Sequence, residues 1–290
     1  MRRENGILLR AAVCFTEDSA IVFRHSFQRN LEMVCRVWFQ VVWAVVVCLA
    51  TLPECGAAEQ IDSARPVTPA AKELRVGALR VDRVLFLGNS ITLHGPAPKI
   101  GWTGNWGMAA SAVEKDYVHL LTAQIAKTAG GMPAVKVKNI ADFERNLDAY
   151  NLAEGLKDEL EFQADLVIVA IGENSAALTT DEAKLRFSTS FAKLFAELKR
   201  HGNPTLIVRS QFWADSAKDE RMKQACLDVG GVFVEISQLG ADEANFARSE
   251  RKFEHAGVAG HPGDKGMQAL ADELWKAIQK QATPASVKQD

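Results

Sequence analysis

Three short polar motifs contain the residue types that acyl transfer requires. Ser90 follows the apolar run 84–87 in a Gly-Asn-Ser sequence, and Asn174 follows the apolar run 166–171 in a Gly-Glu-Asn sequence. His261 precedes a proline in the last part of the chain. A serine becomes a nucleophile when a histidine takes its proton, and a carboxamide N–H can stabilise the oxyanion that the attack creates. The three residues can act together only if the fold brings them to one place.

Apolar runs and helix-spaced apolar residues alternate along the chain and predict the fold. The runs span residues 84–87, 135–140, 166–171, 206–208 and 232–236. Apolar residues at helical spacing lie between them or after them, at about 117–128, 187–198 and 267–278. This alternation predicts an α/β fold: a three-layer αβα sandwich with a five-stranded parallel sheet. In such sheets ligands bind at the carboxyl ends of the strands, where Ser90 and Asn174 would lie.

A long connection rich in glycine and proline, residues 91–115, follows the first strand and carries Trp102 and Trp106. A loop of this length without secondary structure is usually functional or disordered. Both tryptophans are predicted to lie on the same rim as Ser90, where their rings could stack on a substrate. The equally plausible interpretation is that they cover the core beneath the loop.

The charge of the chain excludes some classes of partner. The 34 basic and 36 acidic residues give a net charge of −2, which provides no electrostatic basis for binding nucleic acid or an anionic membrane. No set of Cys, His and Asp residues has metal-ligand spacing, so neither a metal nor a cofactor is predicted. A neutral or mildly polar small molecule or polysaccharide is the expected partner.

The first 58 residues differ in composition from the rest and contain four of the five cysteines. The apolar segment 37–52 follows Arg36 and is itself followed by Gly-Ala-Ala at 56–58, which predicts an export signal cleaved after about Ala58. Residues 1–32 fit a signal poorly, so Met33 is a candidate translation start. The alternatives are lipidation at Cys55 or a membrane anchor formed by residues 37–52, a segment that is short for a membrane span.

The expected location is therefore periplasmic or extracellular, with no stable membrane partner after cleavage. Residues 59–79 have the proline-punctuated composition of a linker, residues 80–282 form the predicted domain, and residues 283–290 form a tail. N-terminal sequencing of the native protein should find a mature chain that begins near residue 59. Retention of residues 37–52 would instead indicate an anchor.

The order of the motifs resembles that of the SGNH/GDSL hydrolases. The segment 88–92 matches the first block of that family, Gly-Asp-Ser-Ile-Thr, with Asn89 in place of Asp. The segment 172–174 matches the Gly-x-Asn of the third block, and His261 with Pro262 matches the His-Pro of the fifth. The resemblance covers residues 81–278 and implies the flavodoxin-like SGNH hydrolase fold.

The resemblance also implies roles for the motif residues. Ser90 would attack an ester carbonyl, His261 would take its proton, and the Ser90 N–H and the Asn174 side chain would bind the oxyanion. The family usually has Asp three residues before the histidine, a position that Val258 occupies here. Glu254, or less favourably Glu250, is a substitute acid, and a backbone carbonyl that orients His261 is the alternative.

A second departure concerns the other oxyanion donor. The glycine that the family has in its second block is missing from residues 139–144, and Gly107 in the tryptophan loop is the candidate replacement. The expected function is a serine esterase that forms an acyl-enzyme and removes O-acetyl groups from carbohydrate. The alternatives are an esterase acting on lipid or small esters, and a catalytically impaired glycan-binding module on the same fold.

Overall fold

The computed structural model describes residues 73–283. The predicted leader 1–58, with its apolar segment 37–52, lies outside the described residues, as do the first part of the linker and residues 284–290 of the predicted tail. Among the helices that the structure describes, none is long and apolar enough to cross a bilayer.

The strands and helices alternate in the order that the sequence predicts. The strands are β1 (Arg75–Val76), β2 (Leu79–Arg80), β3 (Arg83–Gly88), β4 (Ala134–Asn139), β5 (Leu166–Ala170), β6 (Thr205–Arg209) and β7 (Val232–Val234). The helices are α1 (Tyr117–Ala129), α2 (Ala141–Asn146), α3 (Leu152–Gly155), α4 (Lys157–Glu161), α5 (Asp181–Arg200), α6 (Ser216–Asp228), α7 (Ala247–Glu250), α8 (Ala256–Ala259) and α9 (Asp264–Ala282).

Strands β3 to β7 form one parallel sheet in the order β4-β3-β5-β6-β7. The predicted α/β fold with a five-stranded parallel sheet is confirmed. Gly88 at the end of β3 pairs with Asn139 of β4 and with Ala170 of β5. The carboxyl ends of three neighbouring strands are therefore level, so that the turns after them meet at one edge.

Helices cover both faces of the sheet because the strand residues alternate between two apolar cores. Val84 and Phe86 of β3 belong to the core that contains residues of α1 and α9, whereas Leu85 and Leu87 belong to the core that contains residues of α5 and α6. Burial of each such side chain stabilises the fold by about 1.5–3 kcal/mol. The three-layer arrangement follows from this alternation.

The predicted start of the domain at Arg80 requires a correction. Strands β1 and β2 form an antiparallel hairpin in which Val76 and Leu79 are buried against the first core. The Ala78 N–H donates to the carbonyl of Ala282 at the end of α9 over 2.9 Å. The last residues of the predicted linker thus belong to the folded domain, a role that their polar, aperiodic sequence did not indicate.

Candidate active site

Ser90 lies in a tight turn at the end of β3 that its neighbours hold from both sides. The carbonyl of Asn89 accepts the N–H groups of Thr92 (3.0 Å) and Leu93 (2.9 Å). A Cβ at Gly88 would overlap the side chain of Thr92, so only glycine allows this close approach. Thr92 Oγ1 is in turn bonded to the hydroxyl of Tyr117 over 2.7 Å. The turn therefore presents Ser90 in a fixed position at the edge of the sheet.

His261 reaches Ser90 from the loop between α8 and α9. The distance from Ser90 Oγ to His261 Nε2 is 2.8 Å, although the two residues are far apart in sequence. The backbone of His261 is held at both of its polar groups, because its N–H donates to the carbonyl of Val258 (3.0 Å) and its carbonyl accepts from the N–H of Ala247 (2.9 Å). The structure thus brings together the predicted nucleophile and the predicted base.

A backbone carbonyl sets the tautomer of His261. The distance from His261 Nδ1 to the carbonyl oxygen of Gly257 is 2.7 Å, so Nδ1 carries the proton and donates it there. Nε2 is then left as the acceptor that faces Ser90. Burial lowers the pKa of His261, and the bond to Gly257 opposes this shift only in part. The imidazole is therefore neutral at pH 7, as a base must be.

The structure corrects the prediction that Glu254 is the acid. Its side chain is exposed, and the Gly257 carbonyl occupies the partner position at His261 Nδ1. Glu250 is engaged elsewhere, because its two carboxylate oxygens accept the N–H groups of Asp264 and Lys265 (both 2.8 Å) and cap α9. Val258, at the position where the family has its acid, is buried in a small apolar cluster.

The structure also corrects the prediction that Gly107 is an oxyanion donor. Its N–H donates to Asp116 Oδ2 over 3.1 Å and is therefore not available to a substrate. A Cβ at this position would lie 2.6 Å from the carbonyl oxygen of Ile91. Gly107 thus allows the loop to pack closely against the turn that carries Ser90.

Trp102 and Trp106 close the loop on itself, and neither lines the cavity beside Ser90, so their contacts favour the core-covering interpretation over the predicted substrate-binding role. The Trp102 Nε1–H donates to the carbonyl of His94 (3.0 Å), and the Trp106 Nε1–H donates to that of Ala110 (3.1 Å). The two rings meet edge to face, with centroids 5.5 Å apart. Trp102 also belongs to the apolar cluster that contains Val258, through which the loop supports the segment that carries Gly257.

The partly exposed Trp213 lies beside His261, the predicted base. Its ring meets the His261 ring edge to face with centroids 5.3 Å apart, and its Nε1–H donates to the carbonyl of Gly260 over 3.2 Å. Trp213 follows the end of β6 by a few residues, so the rule that sites form at strand ends could have identified it. The sequence analysis gave it no role.

Asn174 lies at the same edge, and two neighbours fix its side chain. The Asn174 Nδ2–H donates to Glu144 Oε2 over 2.8 Å, and the guanidinium of Arg145 lies 3.5 Å from Asn174 Oδ1. Gly172 supports this turn with a φ of 126°, a conformation that side chains other than glycine rarely adopt. Asn174 lines the same cavity as Ser90, as an oxyanion donor must.

A buried polar network lies directly beneath these turns. Arg209 Nη1 and Glu173 Oε1 form an ion pair of 2.6 Å, with side chains that are 0% and 3% exposed. The Asn89 Nδ2 group donates to Glu173 Oε2 (2.7 Å) and to Glu144 Oε1 (3.4 Å). Burial favours the neutral acid at Glu173, but the charge of Arg209 and the Phe212 N–H outweigh it and lower the pKa of Glu173.

Sequence reasoning missed Glu144 and Arg209. A usable signal existed for Arg209, because a charged residue at the end of an apolar strand predicts a buried charge that needs a partner. Glu144 lies in α2, shortly after the end of β4 and within the stretch that lacks the family's glycine. Its importance depends on contacts with residues distant in sequence, which periodicity does not reveal.

A cavity of about 450 Å³ opens above the pair of Ser90 and His261. Its walls combine polar groups, among them Arg145 and Asn174, with the apolar side chains of Ile100 and Met108. The volume lies within the range that is typical of small-molecule sites. Within residues 73–283, no group of three His, Cys, Asp or Glu side chains is arranged to bind a metal ion.

The corrected role of Glu254 gives a direct test. We expect Glu254→Gln to retain ester hydrolysis within about twofold of wild type, since an exposed surface change has little effect and Gly257 orients His261. The measurement is kcat/KM on an aryl acetate, with His261→Ala as the inactive comparison. A loss of 100-fold or more in Glu254→Gln would restore Glu254 as the acid.

The lowered pKa of His261 predicts the pH dependence. A protonated imidazole cannot take the proton of Ser90, so kcat/KM should fall as the pH falls through the pKa of His261. Because burial lowers this pKa, the midpoint should lie below the ordinary histidine value of about 6.5, with full activity at pH 7. A midpoint above 7 would contradict a buried, carbonyl-bonded imidazole.

Several solved structures are similar to this chain at low sequence identity. The chain matches no protein-family model and no curated protein. A lipase/acylhydrolase from Enterococcus faecalis is similar in structure, with 16% identity, a TM-score of 0.46, and coverage of 71% of this chain and 99% of that one. A family two carbohydrate esterase from Cellvibrio japonicus has 16% identity, a TM-score of 0.47, and coverage of 70% and 62%.

An acetyl xylan esterase from the rumen bacterium Butyrivibrio proteoclasticus has 14% identity, a TM-score of 0.42, and coverage of 72% of this chain and 65% of that one. These identities are low, and the likeness concerns the fold. This chain resembles the SGNH/GDSL hydrolases in its parallel sheet and in the order in which Ser90, Asn174 and His261 occur in the sequence.

Proposed function

We propose that the protein is a serine esterase that removes O-acetyl groups from carbohydrate. The observation that carries the proposal is the 2.8 Å distance between Ser90 Oγ and His261 Nε2 at the floor of a cavity that Asn174 also lines. A nucleophile, a neutral base and an amide donor in one cavity are the parts that ester hydrolysis needs.

In the first half of the reaction, Ser90 Oγ attacks the carbonyl carbon of the ester while its proton passes to His261 Nε2. The carbonyl oxygen becomes an oxyanion, which the Ser90 N–H and the Asn174 Nδ2–H would bind. As the intermediate collapses, the bond to the alcohol breaks and His261 gives its proton to the departing oxygen. An acyl group is left on Ser90, and the alcohol is free to leave.

In the second half, water attacks the acyl group and His261 takes the proton of the water. The bond to Ser90 breaks, the proton returns to Oγ, and the carboxylic acid leaves. The Gly257 carbonyl has a defined part in both halves, because it holds the proton on Nδ1 and keeps Nε2 available for transfer. A carbonyl adds no full negative charge, so it stabilises the imidazolium less than a carboxylate would.

The cavity lining supports a polar alcohol as the leaving group. His94, Asn139, Arg145 and His255 provide polar groups around the opening, whereas the apolar side chains form only part of the wall. Sugar hydroxyls can bond to such groups, while a long alkyl or aryl alcohol would leave them unpaired. We also propose that the protein is exported, on the basis of the leader pattern in residues 33–58.

Acetate release tests the proposed function. Wild type is expected to release acetate from acetylated xylan, and Ser90→Ala is expected to reduce kcat by at least about 1,000-fold, because the nucleophile is lost. The measurement is enzymatic detection of free acetate. Thermal unfolding of the variant is the control, since removal of one half-buried hydroxyl should leave the fold intact.

The competing function, a glycan-binding module without activity, predicts a different result. Such a protein would bind the polysaccharide but release no acetate, and a fluorophosphonate would not label Ser90. The esterase predicts covalent labelling of wild type at Ser90 and no labelling of Ser90→Ala. Release of aryl alcohols without release of acetate from polysaccharide would instead favour the small-ester alternative.

A further inference from the structure

We propose that Glu144 is a positioning residue that holds the Asn174 carboxamide with its NH2 group toward the cavity. The inference rests on the proposed function, since an oxyanion donor matters only where an oxyanion forms. Glu144 lies on α2, whereas Asn174 lies on the turn after β5. The contact between them joins two loops of the active-site edge.

The carboxylate of Glu144 is fully buried, and each contact that it makes is with an N–H donor. Oε1 accepts the N–H groups of Gly172 (2.5 Å) and Asn174 (3.1 Å), together with the more distant Asn89 Nδ2 (3.4 Å). Oε2 accepts from Asn174 Nδ2 over 2.8 Å. One oxygen therefore holds the backbone of the turn, and the other holds its side chain.

An acceptor on one side and a donor on the other define the orientation of the Asn174 amide. Glu144 Oε2 is an acceptor and attracts the NH2 group, while the guanidinium of Arg145 is a donor on the opposite side and attracts Oδ1. A flipped amide would place two oxygens together at Glu144 and two donors together at Arg145. Since the Nδ2 group has two protons and Glu144 accepts one, the other remains for the oxyanion.

The contact with Arg145 cannot set this orientation alone. Its distance is 3.5 Å, the Arg145 side chain is 55% exposed, and it also pairs with Asp142 over 3.1 Å. Exposed contacts of this kind contribute little energy. The buried bond to Glu144 is shorter and shielded from water, so it dominates the choice between the two orientations.

Glu144→Gln separates the two functions of the carboxylate. The glutamine oxygen can replace Oε1 and keep the bonds to the backbone N–H groups of Gly172 and Asn174. Its NH2 group then faces the NH2 group of Asn174, and two donors cannot bond to each other. We expect the Asn174 amide to flip and turn its oxygen toward the oxyanion.

The expected result is a fall in kcat of about 10²–10³-fold, the usual loss for one oxyanion donor, with KM within about threefold of wild type. The decisive comparison is a double-mutant cycle with Asn174→Ala. If Glu144 acts through Asn174, then Glu144→Gln should reduce kcat by less than about threefold once residue 174 is alanine.

Glu159→Gln is the matched control. Glu159 is also a buried glutamate and pairs with Lys138 over 2.8 Å, but its contacts lie away from Asn174. This variant should be destabilised without a specific loss of kcat. Thermal unfolding of both variants shows whether a lower kcat reflects loss of folded protein.

NMR of the side-chain amides tests the proposal in the wild-type protein itself, with Asn174→Ala needed only for assignment. Loss of the signal in Asn174→Ala assigns the amide of Asn174. One of its two protons should be shifted downfield and exchange slowly with solvent, because it is buried against Glu144. Two rapidly exchanging protons would overturn the proposal.

The kinetic outcomes distinguish this inference from the proposed function. If wild type hydrolyses esters through Ser90 but Glu144→Gln retains its kcat, only the role of Glu144 is wrong. Multiplicative losses in the double variant also overturn it, because Glu144 would then act independently of Asn174. If wild type has no esterase activity at all, both the proposed function and the inference fail.

Discussion

The buried ion pair between Glu173 and Arg209 is the interaction around which the active-site edge is arranged. Two charges removed from water are costly unless their remaining hydrogen-bonding groups are satisfied. Here Asn89 and the Phe212 N–H complete the coordination of Glu173, and the Ser210 carbonyl accepts from Arg209 over 2.8 Å, while Arg209 Nε has no hydrogen-bond partner among the described residues. The partners come from the ends of β3, β5 and β6, so satisfying one ion pair also fixes the turns that follow three strands.

The proposed catalytic geometry depends on backbone groups. The orientation of His261 is set by a carbonyl from the short helix α8, and the backbone of its loop is anchored at Val258 and Ala247. An incorrect tautomer in a serine triad costs about 10⁴-fold in rate, and the Gly257 carbonyl avoids that loss. The carbonyl provides no full negative charge, so its electrostatic stabilisation of the imidazolium is smaller than that of a carboxylate.

The fold and the positions of Ser90 and Asn174 were predictable because both depend on local signals in the sequence. Apolar runs of strand length located the sheet, and the polar residues immediately after them located Ser90 and Asn174. The errors arose where long-range contacts decide the outcome. The Gly107 N–H donates to Asp116, and the Trp102 Nε1–H donates to the carbonyl of His94. Both bonds involve a loop whose sequence has no periodic pattern. Similarly, residue spacing could not identify the partner of His261 Nδ1, because that partner is the main-chain carbonyl of Gly257 and every residue has a carbonyl.

The asparagine in the first motif, Asn89, is explained by the charged side chains around it. Asn89 donates to Glu173 and approaches Glu144, whereas an aspartate there would add a third carboxylate beside a single guanidinium. The side chains at 89 and 144 are therefore linked through the charge of the cluster. Compared at residue 89 alone, this chain departs from the family motif, whereas the whole cluster shows that asparagine avoids a further negative charge beside Glu144, Glu173 and Arg209. Related chains are better compared by the charge of the whole cluster than by the letter at one position.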